Sequence, residues 1–136
     1  MNGYLQRIVD TDLPEAGQLI RRRATLRAWL AAYAAATSTT ASYDAILRAA
    51  SPGESLQPAK TTTIAWREAL ERVWMLDSVP AWLPGSNHFK KLGAAGKHQL
   101  ADPALAARLL GANASTLLRG TAVGPAVPRD GTLLGA

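Results

Sequence analysis

Two short stretches of this 136-residue chain place basic side chains where phosphate oxygens could be met. The first is Lys60-Thr61-Thr62-Thr63, followed by Arg67. It opens an apolar-periodic run, so its ammonium group, hydroxyls and free first-turn amides would suit phosphate. The second is the polar and basic loop from Gly85 to His98, which holds Asn87, His88, Lys90, Lys91, Lys97 and His98. Its three lysines within eight residues form the densest lysine cluster of the chain, and a flexible basic hairpin can touch phosphates or a minor groove. A blander reading competes with each. The threonines could simply cap a helix, with Arg67 and Arg72 paired to Glu71 and Glu68 at helical spacing, and the loop could be solvated.

Other chemistry finds little to stand on. Cysteine is absent, which removes disulfides, thiolate nucleophiles and cysteine zinc sites, and His88 and His98 have no acid between them to complete a metal site. Gly93-Ala94-Ala95-Gly96-Lys97-His98 imitates a phosphate-binding loop, but two residues separate its glycines where four are needed. His98 also stands where a Ser or Thr would hold magnesium. No nucleophile and base pair can be drawn, so the chain reads as a non-enzyme with no cofactor of its own. Arg21-Arg22-Arg23 lies where a helix begins, and positive charge there opposes the helix dipole, so an external acid is expected to compensate it. That acid would belong to a docking domain or to a phosphate; the alternative is that the run is simply solvated. Asn113-Ala114-Ser115 fits a glycosylation pattern that a cytoplasmic chain never uses.

These residues need elements to hold them. With 48% hydrophobic residues the chain can bury a core of ordinary domain size, and its net charge of +5 favours a mildly acidic partner. The longest apolar run, Ala28 to Ala36, is about half a bilayer span, so a cytoplasmic location without membrane contact is expected. Leu26, Trp29, Leu30 and Tyr33 form the stripe of a helix over 22–37. Ser42 is placed to cap a second helix that carries Tyr43, Ile46, Leu47 and Ala50 on one face and ends before Pro52-Gly53. A third helix is expected over 61–76, with Trp66, Leu70, Val73 and Trp74 inward. Ser78 to Pro84 suits an edge strand, Lys97 to Ala101 its return, and all four tryptophans (Trp29, Trp66, Trp74, Trp82) are expected in the core. Asp102-Pro103 then starts a helix that closes at Gly111, and Asn113 caps one more. The fold class is mainly α with a small β-hairpin (α+β), in the order of a winged helix-turn-helix.

Five segments carry a resemblance. They are Tyr4 to Leu13 (YLQRIVDTDL) with Leu30 to Thr39 (LAAYAAATST), Lys60 to Leu76 (KTTTIAWREALERVWML), Val79-Pro80-Ala81-Trp82, and Lys97 to Gly111 (KHQLADPALAARLLG). In this order they resemble the C-terminal region of a family of prokaryotic AAA-type ATPases. In that family the ATPase domain is followed by a winged helix and then by a domain of unknown function similar to restriction-type nucleases. The resemblance implies that 1–21 leaves an absent ATPase domain, 22–101 is the winged helix, 102–120 adds C-terminal helices and 121–136 is a linker toward an absent nuclease-like domain. Asp130 to Ala136 looks like the segment just before the first acidic residue of that nuclease-like part, so the chain reads as a piece excised from a longer protein. ATP and magnesium would belong to the ATPase domain alone. The function implied is a non-catalytic module that contacts or positions double-stranded DNA through Lys60, Thr61, Thr62, Thr63, Arg67, Lys90, Lys91, Lys97 and His98. The alternative is a docking scaffold for neighbouring domains that touches no nucleic acid.

Overall fold

The computed structural model describes residues 2–15, 22–51, 57–85, 89 and 93–119. Its first long helix, α3 (Arg23–Ala35), is rich in alanine and buries Leu26, Trp29, Leu30, Tyr33 and Ala34 on one stripe. Before it come α1 (Asn2–Arg7), a π-helical turn (Ile8–Asp12) and α2 (Leu13–Glu15). This leading segment sends Ile8, Val9 and Leu13 into the core. Polar contacts tie it to α3: Arg23 pairs with Asp10 at 2.7 Å, and the Arg27 guanidinium donates to Gln6 at 2.8 Å. The external acid expected for the arginine run is thus supplied for Arg23 from within the chain. Arg21 lies outside the described residues, and Arg22 is exposed.

Helix α4 (Tyr43–Ala50) starts as its sequence foretells, the Ser42 hydroxyl accepting from the Ala45 amide at 3.1 Å, and it buries Ile46 and Leu47. Helix α5 (Lys60–Arg72) buries Trp66, Ala69 and Leu70. It stops at Arg72, short of the expected Leu76. The Trp74 amide donates to the Glu71 carbonyl at 3.0 Å, and the Met75 amide donates to Leu70 at 2.8 Å. Those two bonds make a Schellman turn, which needs a left-handed residue where glycine is the usual occupant. Here Trp74 takes that place at φ 58°. The reversal throws its indole outward, 83% exposed, against the expectation of a core residue.

The chain then enters strand β1 (Leu76–Val79), which pairs antiparallel with β2 (Lys97–Leu100); Leu76 faces Leu100 and Val79 faces Lys97. The first strand lies earlier than the expected Ser78 to Pro84, because Pro80 has no amide hydrogen to continue the ladder. On its other edge β2 is bridged to Thr37. The Ser38 amide donates to the His98 carbonyl at 2.8 Å, and the His98 amide donates to Thr39 at 3.1 Å. Helix α6 (Pro103–Leu109) is capped by Asp102, whose carboxylate accepts from the Ala104 amide at 2.8 Å. Helix α7 (Ala114–Leu118) is held by a capping box of Asn113 and Thr116. One apolar cluster joins these parts, running from Ile8 and Leu13 through Trp29, Leu47, Trp66 and Leu70 to Leu100 and Leu105. The structure is therefore mainly helical with one small two-stranded antiparallel sheet. Residues 120–136, which hold the expected linker, lie outside the described residues.

Candidate functional site

The seam between α4 and α5 gathers the first group of basic residues. The Lys60 ammonium lies 2.8 Å from the Asp44 carboxylate, and the hydrogen bond and charge of Lys60 hold that carboxyl below its ordinary range. Both side chains are well exposed, so the pair orients Lys60 more than it stabilises the fold. One turn or so onward, the Arg67 guanidinium sits over the Tyr43 ring at 3.7 Å from its centroid, a cation–π contact. Neither cation pairs as sequence spacing suggests. Arg67 rests on an aromatic face, and the Arg72 Nε donates to the backbone carbonyl of Glu68 at 3.3 Å.

Tyr43 was expected to be buried, and it is instead a half-exposed platform between α5 and the sheet. Its ring meets the His98 imidazole edge-to-face at 4.9 Å, and His98 in turn meets Tyr33 at 5.2 Å. An aromatic chain thus runs from α5 through α4 and β2 to α3. His98 is only 4% exposed, with Nε2 at 2.6 Å from the Ala41 carbonyl. A carbonyl accepts, so Nε2 carries the hydrogen, and buried Nδ1 is left with no partner among the described residues. His98 therefore cannot reach a nucleic acid. The sequence assigned it to the basic loop, but the pleat of β2 turns it inward to fix the sheet on the helices while Lys97, its neighbour, faces solvent. Burial, reinforced by the nearby Tyr43 and Glu71, pushes the Tyr33 phenol far above its ordinary pKa.

The threonines divide. Thr61 is exposed, whereas the Thr63 hydroxyl donates to the Lys60 carbonyl at 2.8 Å. None of them is the cap. The N-cap is Ala59, which makes no side-chain bond, and its carbonyl accepts the amides of Thr62 and Thr63. The outward face of α5 reads Lys60, Thr61, Ile64, Glu68, Glu71 and Arg72, all exposed, so its two cations are matched by two acids. Of the loop cations, Lys97 is exposed at the start of β2, while Asn87, His88, Lys90 and Lys91 lie outside the described residues. The structure thus brings Lys60 and Arg67 to one seam and places Lys97 apart, on the hairpin.

A family model described as "Domain of unknown function (DUF8612)" matches residues 1–116. The chain belongs to this DUF8612 family. No curated protein and no solved structure matches it. Every sequence-predicted contact residue of this DUF8612 domain falls inside the matched span.

Sequence reasoning missed the outer surface of the DUF8612 domain. Trp82 is 85% exposed, so with Trp74 it contradicts the expectation that the later tryptophans are core, and Phe89 is exposed as well. The signal was present for Trp82: prolines at 80 and 84 keep its segment out of the ladder and hence off the packed face of the sheet. A shallow apolar groove of about 330 Å³ runs between α6 and α7, lined by Ala104, Ala107, Ala112 and Leu117 among others. Among the described residues no helix is long and apolar enough to cross a membrane, and no cluster of acids and histidines could hold a metal ion.

Proposed function

We propose that this DUF8612 chain is a non-catalytic winged-helix module that touches DNA with its hairpin, weakly and without reading sequence. The observation that supports it best is how the hairpin is mounted. Strand β2 is bridged to Thr37 on one edge and paired to β1 on the other, and buried His98 anchors it to two helices. A short crossing between the first two helices, a third helix and then a hairpin is the order of a winged helix, whose wing meets the DNA backbone. Lys97 faces solvent on that hairpin, and Lys60 sits exposed at the start of the third helix. Glu68 and Glu71, exposed on the outward face of α5, argue against deep insertion into a groove, so the contact would be made to phosphates. The resemblance to AAA-type ATPases further suggests a module that positions DNA between a motor and a nuclease-like domain.

Fluorescence anisotropy against a labelled duplex of arbitrary sequence, at about 50 and 200 mM salt, tests this. Two or three phosphate contacts predict a slope of log affinity against log salt between about −1.8 and −2.7, the steeper value including Arg67. A Lys90→Glu, Lys91→Glu, Lys97→Glu variant should lose the binding. A flat salt dependence, or no binding at the lower salt, would overturn the reading. It would favour docking to a neighbouring protein domain, for which Ile64, Glu68 and Glu71 on the open face of α5 are the surface.

A further inference from the structure

The chain can bury tryptophan: Trp29 and Trp66 are 2% and 3% exposed and meet edge-to-face at 6.0 Å. Trp82 lies on a different kind of support. Every residue from Asp77 to Trp82 is exposed, and the stretch beyond β1 belongs to no regular element. Its backbone freedom is reduced at two points. Pro80 and Pro84 fix φ on either side of the indole. At the root of the arm Gly96 lies against the Val79 carbonyl so closely that a Cβ there would stand 2.8 Å from that oxygen. The register then sets Lys97 directly across from Val79, three residues before Trp82. Its ammonium joins no ion pair among the described residues.

We infer that this arm takes unpaired nucleobases, with the Trp82 indole as the stacking surface and Lys97, on the same arm, as the phosphate contact. The inference rests on the proposal that the hairpin touches DNA, and it names the form of DNA that suits it. Phosphates of an intact duplex need cations alone, and its base faces are covered except at the ends. A solvent-facing indole on the same arm as an exposed ammonium matches a strand whose bases are open, where aromatic stacking and backbone charge act together. A segment melted by a motor, or a single-stranded tail, presents that chemistry.

The test compares a blunt duplex with the same duplex bearing a ten-nucleotide single-stranded tail, by anisotropy at one salt concentration. The tail should tighten binding by roughly fivefold, the lower end of what one stacked base provides. Trp82→Ala should remove that gain and leave blunt-duplex affinity unchanged, Trp82→Phe should keep most of it, and Trp74→Ala should change neither. Circular dichroism of each variant shows whether it is folded. Equal affinity for tailed and blunt duplexes, or a tail preference that survives Trp82→Ala, would overturn the inference while the duplex-binding proposal stood. Absence of binding to either DNA would overturn both.

Discussion

The helical body and the hairpin arm treat the same side chain in opposite ways. In the body, Trp29 and Trp66 are sealed against each other and against Tyr33; beyond α5, Trp74 and Trp82 stand in water. The difference shows where this small domain obtains its stability and where it leaves surface for something else. A monomer of this size needs its large apolar groups inside, and one that leaves two indoles out forgoes burial that the rest of the chain uses fully. In the body a tryptophan is chosen by packing. On the arm, no packing among the described residues explains it.

The comparison predicts effects of graded size. Trp66→Ala should be the most damaging, at about 3–5 kcal/mol, because it empties the joint between α3 and α5; a chemical denaturation midpoint measures it, and a loss under ~1 kcal/mol would mean the body is not the tight core described. Next, Trp74→Gly should raise stability by ~1 kcal/mol, since it relieves a left-handed backbone that a bulky side chain disfavours and removes no packing. Destabilisation by that change would show that the exposed indole has a partner within the chain. The last effect is one of pH. The buried Tyr33 phenol is held protonated in the fold, so its contribution is complete below the unfolded tyrosine pKa of about 10 and is lost as pH rises above it. Denaturation midpoints should therefore fall above about pH 10, and Tyr33→Phe should flatten that decline.

What the sequence disclosed was local. Ser42, Asp102 and Asn113 cap helices because each needs only an amide two or three residues ahead, and that chemistry is written in the neighbouring letters. The stripe of α3 and the return strand from Lys97 were equally plain, since their periods differ. What it hid was set by partners far along the chain. His98 looked like a loop cation, and only the approach of Tyr33 and Tyr43, with the Ala41 carbonyl, makes it a buried bracket. Arg67 seemed destined for Glu71 by helical spacing, but the packing of α4 offers it the Tyr43 face first. Trp74 fits an inward stripe until the helix ends beneath it, and a Schellman turn containing no glycine leaves little trace in sequence.

The division between body and arm is tested most directly by following stability and tailed-duplex binding together in Trp82→Ala. Its unfolding free energy should stay within about 0.5 kcal/mol of the parent chain's, with roughly fivefold weaker binding of the tailed duplex. A variant that loses stability as a core substitution would, or that binds as tightly as the parent, would contradict that division.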